Sequence, residues 1–435
     1  MKKMNKTAIA CALALLSSQS FAAGFQLSET SVSGLGRAFA GEGAAAEDAA
    51  VLARNPAAMA LFDKTSLSVA GTYIDPGVDL KGTNNPYGDA SALDFDGAAP
   101  QAFIPASYFI KPLNDKVAIG FAGFSNFGLG TDYGKDYSAG SIAGETELQT
   151  MNFNASVSYR INEQLSLGLG ANVIYGTAKF TRYAGGSPLA PLLPNAGQTV
   201  ISDMEGDGFG YGYNLGLMYE LDQNNRLALT YRSDVTVELE GEYYDDLPGF
   251  VGGNGGVKVD GSLDLDLPGI VEFSGFHQLN DKLALHTTVM WTNWSEFAEI
   301  RGVADETVTI GNKVINEGDT LLEKAENFED SWRFGLGATY TVNPKMKLRT
   351  GIAFDEAPVP ESHRSISIPD SDRIWYSIGA NYILSDNGSL DLAFTFIDGE
   401  SVTVREEASP GSTNVFELES EGNAFLVGVQ YNHSF

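Results

Sequence analysis

Four histidines, His277, His286, His363 and His433, and one cysteine, Cys11, are the whole supply of imidazole and thiol in this 435-residue chain. Hydrolytic chemistry needs a Ser/His or Asp/His constellation. No motif surrounds any of the four, although His286 faces inward by strand parity, so catalysis is not expected. Asp264-Leu265-Asp266 sets two carboxylates close together, but the spacing fits no calcium loop and reads as a solvated face. No metal or cofactor is expected. The cations carry more information: 27 lysines and arginines stand against 56 acids, for a formal charge of −29. In so acidic a chain, an inward-pointing cation either pairs with a nearby acid or serves an incoming anion. Arg182 shares strand parity with Ser166, Gly168 and Asn172, and Lys324 lies at the start of a later strand. Both readings stay open for each.

The elements that must position these residues alternate with period two. In residues 151–161 the odd positions are Met151, Phe153, Ala155, Val157, Tyr159 and Ile161, and the even ones are Asn152, Asn154, Ser156, Ser158 and Arg160. Residues 165–175 set Leu165, Leu167, Leu169, Ala171, Val173 and Tyr175 against Ser166, Gly168, Gly170 and Asn172, with only Ile174 out of place. Such strands have one face in oil and one that is wet or finely packed. Soluble sandwich strands average about five or six residues. These reach the length of about ten that a tilted strand needs to cross a bilayer.

The joints are regular too. Six short Asx-rich turns fall at 113–115, 162–163, 222–225, 280–281, 343–344 and 385–388. Seven longer connections fall near 81–100, 126–147, 184–207, 240–262, 302–325, 355–372 and 399–420. Together they join fourteen strands, with both chain ends on the short-turn side. The expected fold is all-β, a transmembrane antiparallel β-barrel of 14 strands. Phe425, Val427, Val429, Tyr431, His433 and Phe435 share one face of the last strand. Tyr159, Trp291 and Tyr382 would form interfacial girdles; the alternative is a sandwich core.

The first 22 residues read as a signal peptide: Lys2, Lys3 and Lys6, an apolar run over 7–16, and Ser20-Phe21-Ala22 as the cleavage site. Cys11 leaves with it, and removing three lysines from −29 leaves −32. That charge repels nucleic acid. No later stretch has 18 apolar residues, so no transmembrane helix is expected.

Residues 23–64 break the alternation. Gly34, Gly36, Gly41 and Gly43 interrupt any strand. Residues 44–53 are alanine-rich and predict a short helix. Asn55 then caps a second helix with Pro56 at its first position. This stretch is expected as a hatch inside a barrel formed by 65–435. Gly168, Gly170, Gly210, Gly212, Gly216, Gly335 and Gly337 face inward and either admit the hatch backbone or relieve crowding beside it. Elsewhere, residues 125–130 lose the pattern of the third strand, and Pro105 on the preceding strand cannot donate to the ladder. A gap in the wall at Pro105, Asn126, Phe127 and Gly128 is one reading; an extracellular loop beginning at Gly128 is the other.

Several of these stretches resemble one family. Ala23-Gly24-Phe25-Gln26-Leu27, Ser33-Gly34-Leu35-Gly36-Arg37-Ala38, Gly41-Glu42-Gly43 and Arg54-Asn55-Pro56-Ala57 are similar to the hatch of the long-chain fatty-acid outer-membrane transporters, the FadL family. Leu229-Thr230-Tyr231-Arg232-Ser233 and Arg364-Ser365-Ile366-Ser367-Ile368-Pro369-Asp370 extend the likeness over the mature chain. The resemblance implies passive uptake of long-chain fatty acids through the outer membrane. It assigns the ligand head group to Arg182 and Lys324, the ligand tail to Phe25, gating to Asn55, Pro56 and Ala57, and lateral exit to the third strand. By its own composition the apolar run 187–194 is either a groove that docks ligand from outside or a loop packed on its neighbour. The implied partners are hydrophobic ligands, outer-membrane lipid and lipopolysaccharide, with a monomeric barrel. The alternatives are uptake of aromatic or other hydrophobic compounds on the same fold, or a nonspecific porin or adhesin.

Overall fold

The computed structural model describes residues 24–435; the expected signal peptide lies outside the described residues. Twenty hydrogen-bonded segments form one sheet. They make fourteen strands, because six strands are each broken once. In order they are β1 (Ser66–Asn84), β2 (Ala102–Pro112), β3 (Val117–Phe124 and Gly128–Asp132), β4 (Gly144–Arg160), β5 (Leu165–Tyr183), β6 (Val200–Glu220) and β7 (Asn225–Arg232 and Val235–Tyr244). Then follow β8 (Val259–Leu267 and Ile270–Asn280), β9 (Leu283–Thr292 and Glu299–Ala304), β10 (Thr320–Ala325 and Ser331–Asn343), β11 (Met346–Asp355), β12 (Arg373–Ser385), β13 (Gly388–Gly399 and Val402–Glu407) and β14 (Val415–Ser434). Each pairs antiparallel with its neighbours, and β1 closes on β14 from Ser66↔Ser434 to Asn84↔Glu417. The six short turns fall where the Asx clusters place them. The long connections are shorter than expected, because strands such as β4 to β6 run on beyond the bilayer.

The polarity of the wall is inverted relative to a soluble protein. Phe103, Phe121, Phe153, Leu169, Leu336 and Phe394 are exposed on the outside. Inside, Asn154 and Asn172 both donate to Asn214 Oδ1, at 2.8 and 3.0 Å. A face of alternate apolar side chains around a hydrogen-bonded interior suits lipid outside and protein within.

That interior is filled by residues 24–61, nearly all buried. Ser31 caps a short helix, Val32–Leu35, its Oγ accepting from the Gly34 amide at 2.9 Å, where the glycines were expected only to interrupt a strand. The single helix expected over 44–53 is divided. An α-turn, Glu42–Ala45, ends at Ala46 in a left-handed conformation, and a 3₁₀ turn, Ala49–Ala53, restarts with Asp48 as cap. At the break, Glu47 is held by Arg37, Lys347 and Arg349. Asn55 and Pro56 do start the next turn, Pro56–Leu61, with Asn55 Oδ1 accepting from the Ala57 amide at 2.9 Å.

Wall glycines admit this segment. A Cβ on Gly168 would lie 2.2 Å from the Ala57 nitrogen, and one on Gly216 2.1 Å from Asn55 Oδ1. Gly337 and Gly351 meet Arg37, and Gly379 meets Gly36. Gly210 and Gly212 serve another purpose: they face Val235 and Ser233 of the adjoining bent strand.

Candidate ligand site, hatch and wall

Beside the breaks in β7 to β10 lies an apolar cavity of about 70 Å³. Its lining includes Phe25, Leu129, Phe180, Met204, Leu263, Leu322 and Ile368. Phe25 sits in an aromatic cluster, with ring centroids 4.7 Å from Trp294, 4.9 Å from Phe297 and 6.0 Å from Phe127. Gly24 before it takes φ +63, and a Cβ there would lie 2.7 Å from the Trp294 ring, so the turn that seats Phe25 requires glycine.

The two expected cations flank this cavity, on either side of one loop. Arg182, at the outer end of β5, is 4% exposed. It donates to Ser367 Oγ at 2.7 Å, to Thr146 Oγ1 at 3.1 Å and to the carbonyls of Thr181 and Glu145. Its guanidinium stacks over the Phe180 ring at 3.5 Å. Among the described residues no carboxylate lies within ion-pair distance of it. Lys324 lies near the end of the outer β10 segment rather than at the start of a strand. It donates to Ser365 Oγ at 2.8 Å and pairs with Glu326 at 3.0 Å, with Glu406 at 4.0 Å. Of the two readings open for these cations, an acid partner holds for Lys324 and does not hold for Arg182. Ser365 and Ser367 join the two; the sequence reading missed them, although their alternation with Ile366 and Ile368 was visible.

At the third strand the ladder opens. β2 pairs with β3 only from Ser107 onward, so Ala102 to Ala106, which includes Pro105, pairs with β1 alone. The outer β3 segment, Gly128–Asp132, pairs with β4 alone. Gly128 therefore resumes a strand and begins no loop. Between the two β3 segments the chain bends inward and pairs with the hatch: Leu27 N donates to the Asn126 carbonyl and Gly128 N to the Phe25 carbonyl, each at 2.9 Å. Phe25 and the break in the wall are thus one hydrogen-bonded unit.

A barrel filled by its own N-terminus, with an apolar cavity above and an unpaired stretch of wall beside it, narrows the choice of family. A model of the family described as "Outer membrane protein transport protein (OMPP1/FadL/TodX)" matches residues 13–435. The chain belongs to this family. Its proteins are outer-membrane transporters of hydrophobic substrates, and this OMPP1/FadL/TodX member is a transporter and no enzyme. It is 41% identical to the "Long-chain fatty acid transport protein" of Salmonella typhi, over 99% of this chain and 98% of that one. "Outer membrane protein P1" of Haemophilus influenzae is 36% identical over the full length of both. Among solved structures, a Pseudomonas aeruginosa FadL homologue superposes with a TM-score of 0.83 at 22% identity, covering 95% of this chain and 100% of that one. The Pseudomonas putida toluene transporter TodX superposes with a TM-score of 0.67 at 15% identity, covering 95% and 100%.

In this FadL-type barrel the hatch is gripped by residues that strand parity alone did not single out. Each of its last three turns presents a carbonyl to a wall arginine. Arg226 donates to Ala45 O at 2.9 Å, Arg232 to Ala53 O at 2.6 Å, and Arg160 to Ala60 O at 2.8 Å. Carbonyls at the end of a helical turn lack an intrahelical donor and carry partial negative charge, so a cation there satisfies both needs. The signal was an excess of inward arginines in a chain poor in cations.

Proposed function

We propose that this protein carries long-chain fatty acids passively across the outer membrane, holding the carboxylate at Arg182. One observation carries the reading: a buried guanidinium beside an apolar cavity, satisfied only by hydroxyls and carbonyls. A buried unpaired charge is costly, and a ligand carboxylate would complete it. Lys324 supports the same loop and gives the head group a second cation. The tail runs along the cavity to Phe25. Leu189, Leu192 and Phe250, exposed on the outer loops, offer the first apolar contact from outside.

Asn55, Pro56 and Ala57 seat the hatch against Gly168 and Gly216, and movement of the Phe25 to Leu27 arm opens the way inward. Exit sideways, between β2 at Pro105 and the β3 bend at Asn126 to Gly128, keeps the acyl chain out of water. The aqueous route would expose it at about 0.8 kcal/mol per CH₂.

The test is oleate binding to purified protein, with growth of the deletion strain on long-chain fatty acid as sole carbon source. Saturable binding, lost in the Arg182→Ala/Lys324→Ala double variant, is expected. Saturable toluene uptake without oleate binding would favour an aromatic substrate, such as the toluene of the transporters that share this fold.

A further inference from the structure

A second, polar cavity lies across the Phe25 to Leu27 arm from the apolar one. Its volume is about 30 Å³, and it is lined by Gln26, Thr30, Arg54, Asn126, Arg232 and Glu272, among others. Phe25 and Leu129 line the apolar cavity, whereas Gln26 and Asn126 line this one. The hydrogen-bonded pairing of hatch and β3 is therefore the partition between the two. Asn126 belongs to the bend that leaves the β2 edge unpaired. The polar cavity thus sits beside the wall gap.

Its polar groups are incompletely satisfied. Asn126 is 4% exposed, and both its Oδ1 and Nδ2 lack a hydrogen-bond partner. Two cations share one acid. Arg54 lies 3.5 Å from Glu272 and donates to the Ser28 carbonyl at 3.1 Å. Arg232 has no carboxylate within ion-pair distance among the described residues. It donates to Asn172 Oδ1 at 3.1 Å and to the Ala53 carbonyl, and lies 5.3 Å from the Phe124 ring. A buried side-chain amide without partners and an uncompensated guanidinium form a receptor for a small anion with a planar, two-oxygen head.

We infer that this cavity is a second carboxylate station, where Arg232, Arg54 and Asn126 take the ligand head group after it leaves Arg182 and before it passes the wall. The inference rests on the fatty-acid reading above. A carboxylate drawn out of the Arg182 site needs another donor before it reaches the lipid head groups, and this cavity supplies one along the way. Arg232 also holds the hatch at Ala53. A carboxylate arriving at Arg232 competes with that carbonyl and loosens the hatch as the ligand moves past.

The experiment compares transfer of oleate with transfer of neutral methyl oleate from the protein into phospholipid vesicles, beside equilibrium oleate binding. The variants are Arg232→Gln, Asn126→Leu and, as a hatch control outside the cavity, Arg226→Gln. With Arg232→Gln and Asn126→Leu, oleate transfer is expected to slow on the order of tenfold. Equilibrium binding should stay within about twofold, and methyl oleate should be little changed. Arg226→Gln is expected to alter both esters and acids by one factor. Equal slowing of oleate and methyl oleate by Arg232→Gln would overturn the station and leave only hatch anchoring. So would unchanged oleate transfer in both cavity variants. Failure of the fatty-acid reading looks different: the unaltered protein would itself neither bind nor transfer oleate.

Discussion

The amide of Gly24 donates to Oδ2 of Asp370 at 3.1 Å, joining the start of the hatch to the long loop that also carries Ser365 and Ser367. Arg373 holds the other oxygen of the same carboxylate. The loop that presents hydroxyls to Arg182 and Lys324 is therefore tied to the residue that seats Phe25. The proposed head-group contacts and the hatch arm share one support. In Asp370→Ala the arm should loosen while the barrel stays closed. The expected readout is faster hydrogen exchange over residues 24–28 and a red shift of the Trp294 contribution to fluorescence. Unchanged exchange in that stretch would show that the tie is inessential.

Arg182 and Lys324 should separate under mutation. Arg182 has neutral partners only, so Arg182→Ala is expected to lower oleate affinity by ten-fold or more, about 1.5–3 kcal/mol, with little effect on stability. Lys324→Ala instead leaves the fully buried Glu326 without its cation. That variant should destabilise the outer barrel by about 3–5 kcal/mol, and adding Glu326→Gln should restore most of it. Thermal unfolding measured beside oleate titration decides between them.

Two wall glycines are tests of the fit between hatch and barrel. The Cβ of Gly351→Ala would stand 2.0 Å from the Arg37 carbonyl, and that of Gly168→Ala 2.2 Å from the Ala57 nitrogen. Both contacts are with backbone, which cannot swing aside, so each should cost about 1–3 kcal/mol. Trypsin should then cut at Arg37 or Arg54 in folded protein, sites that are buried or nearly so in the unaltered chain. Gly411→Ala, on an outer loop with open space around it, should leave trypsin resistance intact, with strain from its positive φ confined to the loop.

Glu29 gives a pH dependence with a definite sign. Burial pushes its carboxyl from the usual 4.5 up to about 7, against the opposing pull of nearby backbone amides and of Arg333 and Arg54. The folded hatch therefore holds a proton that the unfolded segment releases. Its contribution to stability is whole below pH 4.5 and is lost as pH rises through about 7. Hydrogen exchange of the hatch, corrected for intrinsic rate, should show weaker protection at pH 8 than at pH 5. Glu29→Gln should remove that slope; the same slope in the variant would place its origin elsewhere.

The architecture was legible because a lipid-facing strand must alternate over its whole length. The faces of β4 and β5, the six Asx turns and the inward glycines beside the hatch all follow from that constraint. Asn55-Pro56 was legible for a local reason, since cap chemistry belongs to neighbouring residues. The rest depended on distance. Nothing near Glu47 announces Arg349, three hundred positions later. Parity placed Arg182 on the inner face. Whether it would meet an acid depended on loops and strands folded in from elsewhere, so the sequence left that choice open, and it did not single out Arg232. Pro105 and the 125–130 stretch marked where pairing would fail, but not that the freed edge would bond to Phe25 and Leu27.

The seam between β1 and β14 runs nearly the full height of the wall, while the hatch precedes β1 in the chain and touches strands from both halves of the cylinder. The glycine sockets fit that segment closely. The expected order of assembly follows: the stopper is set in place while the sheet is still an open ribbon, and the zipping of its two edges locks it in.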